Sequence, residues 1–132
     1  MKCLFCEIIN KKVTTSNIIE ENINAIAILD ISPVSDGHVL IISKQHFTNI
    51  SEVNEQTWSN FLPLIKNIIN KLKTSFQPGG FNVISNMNEI AYQSIFHLHI
   101  HIIPKYNKEK GFIWTSKPEL KYNLDEVIKK LK

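Results

Sequence analysis

Between Ile95 and Ile103 the chain alternates imidazole and aliphatic side chains, His97-Leu98-His99-Ile100-His101-Ile102, and few backbone conformations accommodate that pattern. On a β-strand, alternate side chains share a face. His97, His99, His101 and Ile103 then point one way and Leu98, Ile100 and Ile102 the other. The aliphatic face suits a core, which leaves three imidazoles in a row on the opposite face, roughly 7 Å apart. The strand is expected to run over 95–103 and to stop at Pro104, which has no amide to donate. A merely half-solvated strand would ordinarily carry Thr, Lys, Glu or Ser at these positions. The row of histidines therefore points to chemistry or to a metal.

The rest of the chain supplies a sheet for that strand and helices to cover it. A short helix is expected over 6–12, then strands over 16–20 and 23–29 around the turn Glu21-Asn22. Asp30-Ile31-Ser32-Pro33 breaks the second strand, and Ser35-Asp36-Gly37 turns into a third over 38–43. Asn54 can cap a long helix whose core face would be Trp58, Phe61, Leu62, Ile65, Ile68, Ile69 and Leu72, kinked or divided at Pro63. Pro78-Gly79-Gly80 ends it before a strand over 81–85. A polar connection over 86–94 follows, then the histidine strand, a loop-rich tail over 105–122, and a short amphipathic helix with Leu124, Val127, Ile128 and Leu131 on one face. Most strand connections are too short for βαβ crossovers, so the expected class is α+β. It would be a mainly antiparallel five-stranded sheet with one long and two short helices.

At 132 residues the chain makes a single domain, with a core over about 3–106 and a C-terminal extension over 107–132. Its net charge of +3 comes from scattered lysines without a dense basic stripe, which argues against nucleic acid as the main ligand. No apolar run is long enough to span a bilayer, and the first residues lack a secretory pattern, so a cytoplasmic protein is expected. All fifteen cations are lysines. Without arginine, a phosphate must be held by His, Ser, Lys, backbone amides or a metal. Cys3 and Cys6 form a C-x-x-C pair, which in such a chain reads as metal ligands or a redox couple.

Gln93-Ser94-Ile95-Phe96-His97-Leu98-His99-Ile100-His101-Ile102-Ile103 resembles the histidine triad, or HIT, signature His-φ-His-φ-His-φ-φ. Upstream, Leu29-Asp30-Ile31-Ser32-Pro33, Gly37-His38-Val39-Leu40-Ile41-Ile42 and Lys44-Gln45-His46 resemble other blocks of the Hint branch of that family, in their usual order. The resemblance implies a HIT-like fold, usually a homodimer, that hydrolyses or transfers purine nucleoside monophosphates. His99 would be the nucleophile and His101 the donor to a non-bridging phosphate oxygen. Ser94 would serve the phosphate or the leaving group, and His38 would orient a neighbour. Asp30 would receive the ribose hydroxyls, Asn86 and Gln93 would lie on the phosphate side, and Leu4, Phe5, Ile8, Ile28, Leu29 and Ile31 would clamp the base. Ordinary core packing is the competing account of those aliphatic positions. One position departs from the family pattern: Tyr92 stands where a Gly often precedes the Gln-Ser pair, which leaves the leaving-group preference open.

The same resemblance implies that Cys3, Cys6, His46 and His97 hold a structural zinc, with no metal needed for the chemical step. Two thiolates and two imidazoles make a closed tetrahedral set. The expected activity is a nucleoside phosphoramidase-like hydrolase, cleaving a P–N or P–O bond through a nucleotidyl-histidine. A dinucleoside polyphosphate hydrolase and a non-catalytic nucleotide-binding dimer are the alternatives. A thiol oxidoreductase is disfavoured, because no thioredoxin-like βαβ pattern follows Cys6.

Overall fold

The computed structural model describes residues 3–11, 17–117 and 123–132. Five strands, β1 (Ile18–Glu21), β2 (Ala25–Leu29), β3 (Val39–Ser43), β4 (Gly80–Ile84) and β5 (His99–Lys105), form one antiparallel sheet in the order β1-β2-β3-β5-β4. With three α-helices packed around or beyond it, the class is α+β, as the connection lengths require. The predicted end of the first helix at Lys12, the start of the first strand at Ser16 and the last five residues of the tail lie outside the described residues.

Strand alternation sorts the two faces of the sheet. Ala25 and Ala27, Val39 and Ile41, and Leu98, Ile100 and Ile102 pack under the long helix α2 (Glu55–Phe76) around Phe61, Leu64, Ile68 and Leu72. Each fully buried aliphatic side chain there contributes roughly 1.5–3 kcal/mol. The opposite face carries Ile26, Ile28, Leu40 and Ile42, covered at one end by Phe5 of the short helix α1 (Leu4–Ile9). The triad histidines share this second face, because they alternate with the aliphatic residues beneath α2.

Several boundaries differ from the expectations. The first hairpin turns on Asn22, whose Oδ1 accepts from the amides of Asn24 and Ala25 at 3.0 and 2.9 Å, so β2 starts at Ala25 and not at Ile23. Helix α1 lies earlier than expected, because the Cys3 sulfur accepts from the Cys6 amide and caps it, and Lys11 has φ +60°. Asn54 caps α2 through the Thr57 amide at 2.8 Å, as predicted. The helix is not divided at Pro63: ring and lost bond fall on the exposed side, where water can serve the Ser59 carbonyl. Its buried stripe is Thr57, Phe61, Leu64, Ile68 and Leu72, while Leu62 and Trp58 are 60% and 39% exposed. A helix this rich in apolar residues offers two overlapping stripes, and docking on the sheet selects one.

The histidine strand is displaced relative to the reading. Residues 95–98 run beside Phe47, whose carbonyl accepts from the Leu98 amide, and the ladder begins at His99 opposite Ile42. Nor does Pro104 stop it. β3 has already ended at Val39 opposite Ile102, so the side on which proline lacks a donor faces no strand, and the Pro104 carbonyl accepts from the Ser35 hydroxyl at 2.6 Å. Beyond β5, the Lys105 ammonium donates to the carbonyls of Lys108, Lys110 and Phe112 and curls the tail back over the sheet. The last helix, α3 (Leu124–Leu131), is capped by Asn123, and its four apolar residues are exposed.

Candidate active site

Hydrogen bonds to backbone groups settle the protonation pattern of the histidines. His99 Nδ1 is 2.7 Å from the His97 carbonyl, which only accepts, so Nδ1 carries the proton and Nε2 keeps its lone pair. The Val34 amide donates to His38 Nδ1 at 3.0 Å, so the His38 proton sits on Nε2. That nitrogen lies 2.9 Å from His101 Nδ1 and donates to it, which leaves His101 with its N–H at Nε2. One face of the sheet thus offers a free imidazole lone pair on His99 beside an imidazole donor on His101, their rings 5.1 Å apart.

Electrostatics favours the neutral forms. Burial depresses His99 and His38 below the ordinary imidazole value, partly offset by the Asp30 carboxylate. Burial, and then the neighbouring His99 and His38, push His101 down to about 4. Asp30 Oδ2 lies 3.5 Å from His38 Nε2, while Oδ1 accepts from the Ser32 amide at 2.8 Å and holds the turn after β2.

His99 and His101 open into a cleft of about 630 Å³. It is lined by Leu4, Phe5 and Ile8 from α1, by Ile28, Leu29, Asp30 and Ile31 at the end of β2, and by His38, Asn86 and Ser94. The Phe5 ring meets the His99 ring edge-on at 5.1 Å. Gln93 is absent from the lining. Its side chain is buried, accepting from the Asn88 amide and donating to the carbonyls of Thr48 and Ile95, so it braces the loop that carries Asn86 and Ser94. The wall also includes residues that the sequence does not assign to the site, among them Val34, Tyr92 and Phe112. Val34 carries the amide that orients His38, Tyr92 stands on the loop before Ser94, and Phe112 arrives on the folded-back tail. Tyr92 stands out in the sequence as a departure from the family pattern, Val34 acts on His38 only four residues away, and Phe112 reaches the cleft through contacts distant in sequence. Asp30 is the one residue of formal charge in the lining, and no lysine reaches it among the described residues.

A second cluster lies behind the triad. The ligand atoms of Cys3, Cys6, His46 and His97 all lie within 4.8 Å of one another. Cys3 Sγ and Cys6 Sγ are 3.3 and 3.5 Å from His97 Nδ1, Cys6 Sγ is 3.3 Å from His46 Nδ1, and the two Nδ1 atoms are 3.1 Å apart. A tetrahedral S₂N₂ zinc site has ligand–ligand separations of about 3.3–3.8 Å, so the set fits one with small adjustments. His97 Nε2 donates to the Ser43 carbonyl at 2.7 Å, which frees Nδ1 as a lone pair aimed at the sulfurs. Burial, followed by the hydrogen bond and charge of Cys3, pushes the Cys6 thiol up to about 11. Two adjacent thiols resist ionising together, and a divalent cation between them removes that resistance. The described residues also bring Asp30, His38 and His101 together, but the His38–His101 hydrogen bond occupies the two facing nitrogens.

Residues 11–108 match the HIT domain. The chain is 36% identical over 138 residues to an adenosine 5'-monophosphoramidase of Schizosaccharomyces pombe, covering 100% of both chains. Its fold superposes on a crystal structure of a HIT family protein from Bacillus anthracis with a TM-score of 0.86 at 34% identity, covering 98% of this chain and 92% of that one. A Zn-bound histidine triad family protein from Mycobacterium smegmatis matches with a TM-score of 0.76 at 28% identity, covering 89% and 84%. Among the described residues no helix is long and apolar enough to cross a membrane.

Proposed function

This chain belongs to the HIT domain family, and from that premise we propose that it hydrolyses the bond between the α-phosphate of a purine nucleotide and an amine. One observation carries the reading: the His97 carbonyl holds the His99 proton on Nδ1, which presents an unprotonated Nε2 to the cleft. The S. pombe relative named as a phosphoramidase supports the same bond type.

In the proposed reaction the His99 Nε2 lone pair forms a bond to the α-phosphorus as the P–N bond breaks on the opposite side. The amine leaves with one added proton, passed through the exposed Ser94 hydroxyl and replaced from solvent. The imidazole becomes cationic while it carries the nucleotide, which strengthens its Nδ1–H bond to the His97 carbonyl. His101 donates its Nε2–H to a non-bridging oxygen, the role an arginine would otherwise fill. Asn86 lies on the phosphate side and Asp30 takes the ribose hydroxyls. Leu4, Phe5, Ile8, Ile28, Leu29 and Ile31 enclose the base. Water then attacks phosphorus, the P–Nε2 bond breaks, and AMP or GMP leaves with His99 neutral again.

We assign Cys3, Cys6, His46 and His97 as the ligands of a structural zinc, which would tie α1 and its cleft wall to the sheet. In this reading the first triad histidine holds metal and the other two do the chemistry. The protein is read as a cytoplasmic homodimer. A dinucleoside polyphosphate is the poorer substrate, because its leaving group brings several negative charges to a cleft that, among the described residues, has no lysine in its lining.

Intact-protein mass spectrometry after a rapid acid-free quench tests this reading, with an adenosine phosphoramidate as substrate. The expected result is an adduct of one AMP on the unaltered chain and none on His99→Ala. Neither adduct nor released AMP from the unaltered chain would indicate a nucleotide-binding dimer without turnover.

A further inference from the structure

Tyr92 is held in a conformation that a tyrosine tolerates poorly and that the fold does not repay. Its backbone is left-handed, with φ 72° and ψ 21°, where a glycine would carry no side-chain penalty. Its ring is 88% exposed and so adds nothing to the core. The loop cannot easily relax the strain. Residues 89–91 form a 3₁₀ turn, the Tyr92 amide donates to the Glu89 carbonyl, and buried Gln93 ties the next position to Asn88 and Thr48. Strain kept on a rigid loop at the lip of a cleft is a pointer to function.

The topology says which part of a substrate meets that ring. β5, with His99 and His101, separates two ends of the cleft. On the β2 side stand the apolar walls from α1 and the end of β2. At the other end stand Ile84 of β4 and Asn86, Tyr92 and Ser94 on the connection from β4 to β5. A phosphorus in front of His99 with its nucleoside toward α1 directs its leaving group toward that connection. There the segment from Asn86 to Ser94 contains one charged residue, Glu89, and no cation. An exposed ring without a cation suits a flat, uncharged group and gives a polyphosphate nothing to bind.

We propose that Tyr92 is a specificity residue for the leaving group, a stacking platform that selects phosphoramidates whose amine bears a planar aromatic ring. The assignment rests on the hydrolase reading above. It predicts that the unaltered chain prefers an adenosine phosphoramidate of an indolylethylamine over that of n-butylamine by about five- to tenfold in kcat/KM, the size of one ring–ring contact. In Tyr92→Gly the ratio should collapse toward one, while Tyr92→Phe keeps it, because the ring and not the hydroxyl does the selecting. Tyr92→Gly should melt no lower than the unaltered chain, since glycine suits the left-handed backbone. An unchanged ratio in Tyr92→Gly overturns the assignment, whether or not both rates fall. A Tyr92-dependent preference for diadenosine tetraphosphate over both amides overturns the choice of amines. No AMP from any of these substrates with the unaltered chain overturns the hydrolase reading and this assignment with it.

Discussion

His99 Nδ1 lies 2.7 Å from the carbonyl oxygen of His97, two residues back and just before β5, and this bond decides which nitrogen of His99 faces the cleft. Because the orienting group is backbone, it cannot be removed by mutating a side chain. The informative change is at His99 itself. His99→Ala should lower kcat by about 10³-fold or more while AMP affinity by calorimetry stays within about threefold. Retention of more than a few per cent of kcat would exclude His99 as nucleophile.

In the proposed reaction His38 acts on the phosphate only through His101. Its Nδ1 is occupied by the Val34 amide, so its Nε2–H sets the tautomer of His101. His38→Ala should reduce kcat by about 10–100-fold with KM little changed, in line with other orienting partners of histidine. Nitrogen NMR of the imidazoles should show that His101 no longer keeps its proton on Nε2 alone. The same His101 tautomer in the variant would contradict the chain of donors.

Acid should destabilise the fold in a defined window. His101 sits at about 4 in the folded chain, against 6.5 for an ordinary histidine. Between those values the unfolded chain binds more protons than the folded one, so stability falls as pH drops from 6.5 to about 4, by at most about 1.4 kcal/mol per pH unit from this group. Above 6.5 both forms are neutral and the contribution is flat. His38 and His99 are shifted in the same direction. His101→Gln should therefore lose less Tm over this range than the unaltered chain. Parallel Tm–pH curves for the two would argue against the depressed value.

Removing a ligand of the sulfur–nitrogen cluster should loosen a wall of the cleft more than the chemistry. Helix α1 has six residues, too few to hold itself, and brings Leu4, Phe5 and Ile8 to the cleft. Cys3→Ser should lose zinc by elemental analysis and lower Tm by about 5–10 °C. KM for the nucleotide should rise severalfold, with a smaller change in kcat. A zinc-free unaltered protein, purified without chelator, would rule out the metal assignment.

Gly37 has φ +85°, and a Cβ there would lie 2.9 Å from Leu72 Cδ2 on α2. Gly37→Ala should cost about 1–2 kcal/mol in urea denaturation, combining left-handed strain with a contact the Leu72 methyl must yield to. It should also lower kcat modestly, because His38 is the next residue. An unchanged midpoint would mean that the turn before β3 relaxes freely.

The sequence carried much of the fold and part of the site. The alternation from His97 to Ile103 was legible because side-chain direction on a strand depends only on position. The cap at Asn54 and the long helix were equally local. Pro104 was misjudged because a proline stops a strand only where a neighbouring strand needs its amide, and β3 has already ended there. Leu62 and Trp58 were misplaced because two overlapping stripes fit α2, and only docking on the sheet chooses Leu64 and Thr57. Gln93 was expected beside the phosphate, yet it braces the loop, a difference made by Thr48 and Asn88.

By itself the sequence determined the α+β class, the face shared by the three histidines, and the family whose motifs they complete. Tertiary structure alone decided which imidazole nitrogens are protonated, that Cys3 and Cys6 meet His97 from the far end of the chain, and that Tyr92 is left-handed at the cleft lip. Periodicity is local, whereas a tautomer is set by whichever donor or acceptor the fold brings within 3 Å. For His101 that partner is His38, 63 residues earlier in the chain.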